Sequence, residues 1–359
     1  MKPLKSVNLF PALSEIRKAA TAQHLRDQRI ACQNHLIEMR SNMELREWIA
    51  SVNTMHDLIG QRAAAICEQD MWEAGFGRPP ARYAFVAFGS CGRQEATLWS
   101  DQDNGLIIGD ELEEEALPFF REFGLRLANL LEYLGYPKCS GKVMCSEPLW
   151  SKRLGDWKNQ ISEWCGDRQW EPIRNFIIAS DLRHISGDTE LSEAWVDHFR
   201  SSVEQHPDIG HAVLRNTVKH KATLNVMGQI VTERFGEHAG EFDVKYGVYI
   251  PLVNSIRTMA LQRGIIETST QKRMEKVMLL EGGNLLLESV QRAFLTALRL
   301  RNDTPFIVED GLITSSGYIP QEQLKNKTMQ YELRDTLGVV RRIHRSLQRE
   351  HRFAERRSP

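Results

Sequence analysis

Tyr83-Ala84-Phe85-Val86-Ala87-Phe88-Gly89-Ser90-Cys91-Gly92-Arg93-Gln94-Glu95, followed by Ser100-Asp101-Gln102-Asp103-Asn104-Gly105-Leu106, is the stretch that decides how the rest of the chain is read. Its first six residues are apolar, partly aromatic or β-branched, and end at a glycine, which predicts a short buried strand. Asp103 to Ile108 predicts a second strand. Residues two apart on a strand point to the same face, so the carboxylates of Asp101 and Asp103, at the start of that second strand, project together.

Two carboxylates side by side repel, and a bound divalent cation is the usual reason for keeping them there. Oxygen ligands favour Mg2+, with Mn2+ as the alternative. Mg2+ completes its shell with water and substrate phosphates, so these residues suggest a nucleoside triphosphate as substrate. Gly89, Ser90 and Gly92 form a turn with little side-chain bulk, where backbone N–H groups and the Ser90 hydroxyl can approach phosphate oxygens. Arg93 would add a planar charged donor. The same residues also fit a purely structural account: an acidic turn with one carboxylate capping an amide and the other solvated, braced by an Arg93–Glu95 pair.

Upstream, Ile16 to Glu73 has a helical pattern, with a capping box at Ser41-x-x-Glu44 starting a helix just before Leu45. Gly75-Phe76-Gly77-Arg78-Pro79-Pro80 ends it. His56-Asp57 resembles a metal-binding dyad but lacks the flanking His and Asp of such a site, and it reads as a pair on the helix surface. Downstream, Glu111 to Leu134 carries apolar residues at helical spacing, and Lys142 to Cys145 predicts a third strand. The order strand, turn, strand, helix, strand belongs to a small α/β unit.

Beyond Trp150 the chain reads as helical, with segments at Leu191–Val203, His211–Glu233, Pro251–Arg263, Asn284–Arg301 and Gln330–Phe353 separated by turns such as Glu281-Gly282-Gly283. Lys245 is the residue of this half whose ammonium could neutralise triphosphate charge; a salt bridge to Asp243 is its alternative. The last segment carries Arg341, Arg342, Arg345, Arg349, Arg352, Arg356 and Arg357 beside an apolar stripe. It reads as a core helix with a solvated basic face, with a nucleic-acid or acidic-partner surface as the alternative.

At 359 residues with 42% hydrophobic content the chain is long enough for two folded units. Its 46 basic and 47 acidic residues give a net charge of -1, which argues against nucleic acid or a membrane as partner unless a local patch supplies the attraction. The six cysteines form no CxxC pair and read as reduced thiols. Met1-Lys2-Pro3-Leu4-Lys5-Ser6 leads into no continuous apolar run, and no segment approaches bilayer length, so a cytoplasmic protein is expected.

The string G-S-x-G-R-x-E-x-x-x-x-S-D-x-D-x-G-L, beginning at Gly89, resembles the signature of the DNA-polymerase-β-like nucleotidyltransferases. It is similar to that of the PII-protein uridylyltransferases, the glutamine synthetase adenylyltransferases and, above all, the DUF294 family. Gly135-Tyr136-Pro137, Gly141, Pro148-x-Trp150, Asp181-Leu182-Arg183 and Gly187-Asp188 extend the likeness, and Phe242–Gly247 with Arg257 and Gly264-Ile265 resemble that family's substrate-binding domain.

The resemblance implies an α+β chain: a small polymerase-β-like nucleotidyltransferase α/β domain (residues 75–190), an N-terminal helical segment (1–74) and a C-terminal all-α helical bundle (191–359). It implies that Asp101 and Asp103 hold Mg2+ and that Gly89 and Ser90 seat the triphosphate. UMP or AMP would pass to a hydroxyl of a protein or small-molecule acceptor, releasing pyrophosphate. The superfamily often uses a third carboxylate, for which Glu147 and Asp181 are the candidates. A catalytically weak or inactive nucleotide-binding regulator is the alternative, and an RNA-tailing polymerase is disfavoured by the neutral charge.

Overall fold

The structure, a computed structural model, describes residues 11–217, 224, 228–282 and 284–355. Met1–Ser6, residues 218–223 and 225–227 of the expected His211–Glu233 helix, Gly283, Arg356 and Arg357 lie outside the described residues. The chain divides into two compact units, one of residues 11–162 with Ile178–Phe199 and Glu309–Leu312, the other of Glu163–Ile177, Arg200–Val308 and 313–355.

Three helices open the first unit, α1 (Pro11–Lys18), α2 (Ala22–Met39) and α3 (Leu45–Glu73). The long α3 starts where the sequence predicted, but the capping box does not form. Glu44 is itself the cap, its carboxylate accepting the Arg46 N–H at 2.8 Å. Trp48, Val52, Met55 and Ile59 form its buried stripe, at the three- and four-residue spacing of one helix face.

The sheet contains β1 (Tyr83–Ala87), β2 (Asn104–Ile108), β3 (Ser151–Arg153) and β4 (Arg183–Gly187), in the order β3-β2-β1-β4. β1 runs antiparallel to β2 and β4, whereas β2 and β3 are parallel. Every residue of β1 and β2 is buried, which explains why both read as unbroken apolar runs. A one-turn helix α4 (Gly89–Gly92) follows β1, and α5 (Leu117–Tyr133) buries Phe119, Phe120, Phe123, Leu127 and Leu131.

The third strand is not where the sequence put it. Lys142 has φ 56°, a left-handed conformation that an extended strand cannot accept, and 142–145 is irregular, following a turn at 140–141. That segment is pinned to β2 by the Asn104 N–H donating to Val143 O (3.1 Å) and the Cys145 N–H donating to Asn104 Oδ1 (2.8 Å). The strand beside β2 is Ser151–Arg153.

Helices α6 (Leu154–Gly166), α7 (Trp170–Ala179) and α8 (Thr189–Gln205) follow, with Trp157, Trp195 and Phe199 sharing one aromatic cluster. The second unit holds α9 (Ile209–Thr217), α10 (Ile250–Leu261), α11 (Thr270–Glu281), α12 (Leu285–Asn302), the short α13 (Gln321–Leu324) and α14 (Lys327–Glu355). The helix expected to reach Glu233 does not, since 231–240 is non-helical. Nor is this half wholly helical. β5 (Phe242–Asp243) pairs with β8 (Tyr318–Ile319), and β6 (Ile307–Glu309) with β7 (Leu312–Thr314), strands too short to show a periodic pattern. The fold is α+β, as expected. Among the described residues no helix is long and apolar enough to cross a membrane.

Candidate active site

β1 delivers the chain into α4, and the Phe88 N–H donates to Asp103 O at 2.8 Å, which sets the end of β1 beside the residue entering β2. Gly89 has φ 54°, and a Cβ there would run into the Asp103 carboxylate. This position therefore needs glycine twice over, for its backbone conformation and for the acid lodged against it. Asp101, Asp103 and Cys91 line one pocket of about 50 Å³, together with Asp57 and Tyr136. Ser90 is buried at the edge of this arrangement, its carbonyl accepting the Glu95 N–H.

Gly92 serves packing: a Cβ would strike the carbonyl oxygen of Asp181, and its N–H already donates to Phe88 O at 2.7 Å. Arg93 is equally interior. Its side chain, 5% exposed, donates to Glu95 (3.0 Å) and Asp181 (2.5 Å), themselves 4% and 2% exposed. The Arg93–Glu95 brace weighed in the sequence is present, and Asp181 belongs to it.

Glu147 sits half-buried in a turn, its N–H donating to Met144 O, and it does not line the pocket. Among the described residues no three His, Cys, Asp or Glu side chains are grouped to hold a metal ion. Two carboxylates alone still suit Mg2+, which commonly takes one or two from the protein and the rest of its shell from phosphates and water. Lys245 lies in the second unit with its Nζ 5.7 Å from the Tyr246 ring. The salt bridge to Asp243 is not made, and Asp243 accepts the Tyr246 N–H instead.

A framework that sequence reasoning missed holds the acidic loop. Arg183 pairs in bidentate fashion with Asp57 of α3 (2.6 and 2.9 Å) and also donates to the carbonyls of Cys91 (2.8 Å) and Gly92 (3.2 Å), gripping the far end of α4. Asn53 accepts the Ala96 N–H at 3.0 Å. Gln102, between the two acids, donates to Ala128 O and Tyr136 O, both at 3.0 Å. Arg29 of α2 donates to Leu134 O and lies 4.2 Å from the centre of the Tyr136 ring.

His56 is not on the helix surface as the sequence suggested; it is buried against Tyr136 Oη (2.7 Å) and Thr97 O (2.8 Å). A carbonyl can only accept, so Nε2 carries the proton and Nδ1 accepts the Tyr136 hydroxyl. Burial, with Arg29 nearby, pushes the His56 pKa down to about 3, and the ring is neutral. Burial and the Asp103 charge push the Cys91 thiol up to about 12 and Cys139, hydrogen-bonded to Asp103, up to about 11. Neither thiol is ionised at neutral pH, so nothing activates them as nucleophiles. The only local hint of this framework was the adjacent His56-Asp57 pair on an otherwise apolar face, since every partner of the two lies at least 41 residues away.

Residues 31–171 match the family described as Putative nucleotidyltransferase DUF294, and residues 207–351 match its companion, the Putative nucleotidyltransferase substrate binding domain. The chain belongs to the DUF294 nucleotidyltransferase family. No curated protein matches it.

Proposed function

We propose that the chain is an enzyme that transfers a nucleoside monophosphate, UMP or AMP, from a nucleoside triphosphate to a hydroxyl of a protein or small-molecule acceptor. The observation that carries this reading is the lodging of Asp103 against Gly89, with Asp101 on the same pocket, which sets two acids beside a tight glycine turn. Mg2+ held by Asp101 and Asp103 would neutralise charge on the phosphates. The chain's own contribution is position. The Gly89–Ser90 turn offers backbone beside the triphosphate, the Arg183–Asp57 pair keeps that turn in place, and Gln102 holds the acids on either side of it. The acceptor hydroxyl releases its proton to solvent and its oxygen bonds to the α-phosphorus as the α–β bridge breaks and pyrophosphate leaves.

A second reading, a nucleotide-binding regulator without transfer, is favoured by the engagement of Asp181 with Arg93, which keeps Asp181 out of the pocket that Asp101 and Asp103 line. Incubating the protein with Mg2+, each α-labelled nucleoside triphosphate and extract of the cognate cell, beside an Asp101→Asn, Asp103→Asn variant, separates the two. Label reaching a protein or small molecule with the unaltered chain alone supports the enzyme. Nucleotide retained at equilibrium without pyrophosphate release supports the regulator, and label in RNA supports a polymerase.

A further inference from the structure

One face of α14 carries a run of exposed arginines. Arg334, Arg341, Arg342, Arg345, Arg349 and Arg352 are all exposed, and at 100° per residue they fall within an arc of about 100° along about 27 Å of helix. The opposite side carries Leu333, Leu337, Val340, Ile343 and Leu347, all buried. None of the six makes an ion pair with a described residue, although arginines elsewhere in this unit do: Arg299 with Glu332 and Asp303, Arg263 with Glu281, Arg168 with Asp208. On α14 itself only Asp335 borders the arc among the described side chains. Neighbouring charges in this run lie within a Debye length and repel one another, a cost that no ion pair with a described residue offsets.

Two further features lie on the same arc. Tyr331 is 71% exposed, and helix geometry places it in line with Arg349. Gly338 stands at the centre of the arc, and a Cβ there would meet nothing nearer than an Arg342 Nη at 4.0 Å. Packing within the unit does not require that glycine, which weakens a helix interior relative to alanine, but a bare backbone lets a partner chain approach closely.

We propose that this face binds single-stranded nucleic acid. The guanidinium fork matches phosphate oxygens, and Arg341, Arg345 and Arg349 repeat at about 6 Å along the axis. An exposed tyrosine among arginines adds a platform on which an unpaired base stacks, something an acidic peptide does not use and a duplex does not offer. The overall charge of -1 argued against such a partner, but attraction is set by the local patch, and here every described arginine of the arc is exposed. The inference stands whether or not the first unit transfers nucleotides.

The test is fluorescence anisotropy of the full chain, without Mg2+ or nucleotide, against a labelled oligouridylate of about twenty nucleotides. The matching oligothymidylate, duplex DNA and poly-L-glutamate serve as competitors. Binding should weaken with salt by a slope of about 0.7 per phosphate engaged. Arg341→Glu, Arg345→Glu, Arg349→Glu together should lower affinity at least about tenfold and flatten that slope. Tyr331→Ala should cost about fivefold or more and leave the slope unchanged. If the triple variant melts early, the tyrosine variant carries the test. Unaltered binding by both variants overturns the proposal. So does poly-L-glutamate competing as well as the oligonucleotides while Tyr331→Ala has no effect, which would make the face an acidic-peptide surface.

Discussion

Arginine does opposite work in the two units. In the first, buried Arg93 and half-buried Arg183 between them meet carboxylates and carbonyls at close range, so their charge holds the loop in place. On α14, the exposed arginines meet no carboxylate of the described chain. A buried guanidinium must be neutralised and hydrogen-bonded or it costs several kcal/mol, whereas an exposed one is solvated and remains available to something outside. The contrast separates side chains that hold a site together from side chains left exposed to solvent, and it can be broken by measurement.

The largest effect should come from Arg93→Met. It leaves Glu95 and Asp181 buried without the cation they share, and loss of one partner from a buried ionic group costs about 3–5 kcal/mol. Urea unfolding followed by circular dichroism reads this directly. A loss below about 1 kcal/mol would mean that the cluster contributes little and that the contrast with α14 is one of exposure alone.

Next is the buried imidazole. The unfolded chain protonates His56 near its ordinary pKa of 6.5, and the folded chain only near 3. Between these values the unfolded state binds more protons, so stability is complete above pH 6.5, declines as pH falls, and loses nothing further from this group below 3. At pH 5 the decline attributable to His56 is about 2 kcal/mol. His56→Gln keeps an N–H donor toward Thr97 O and removes the titration. The stability gap between the variant and the unaltered protein should therefore narrow by about that amount from pH 7.5 to pH 5. A gap independent of pH would show that the ring is solvated when folded.

Arg183→Lys should cost less, about 1–2 kcal/mol, because a lysine retains the charge near Asp57 but cannot also reach the Cys91 and Gly92 carbonyls with a fork. The same variant tests the proposed site. If α4 is held for the triphosphate, nucleotide affinity measured by calorimetry should fall together with the melting temperature. If only the melting temperature moves, Arg183 braces the fold alone.

How far these arrangements could be read from sequence follows from their range. β1 and β2 are fully buried, and burial leaves an uninterrupted apolar signature in five or six residues. The glycine at the end of β1 was legible because a positive φ has few other occupants. β3 was misplaced because Ser151-Lys152-Arg153 is half-buried and polar, while Lys142–Cys145 has the composition of a strand but an irregular backbone with Lys142 left-handed. The ties Arg183–Asp57 and Arg93–Asp181 span 126 and 88 residues, so no window of sequence contains both ends. Arg93–Glu95, two residues apart, was visible as a possibility for that reason.

The smallest effect tests the exposed side of the contrast. Arg341, Arg345 and Arg349 are spaced i, i+4, where like charges on a helix repel by about 0.2–0.5 kcal/mol a pair. Arg342 adds a third such neighbour to Arg345 at i−3, and glutamine has nearly the helix propensity of arginine, so Arg345→Gln removes three repulsive pairs and changes little else. The melting temperature should rise slightly at low ionic strength, and the gain should vanish near 1 M salt, where the Debye length shrinks to about 3 Å. A loss of stability at low salt would mean that Arg345 is neutralised from within the chain. The α14 arginines would then hold structure together, as Arg93 and Arg183 do.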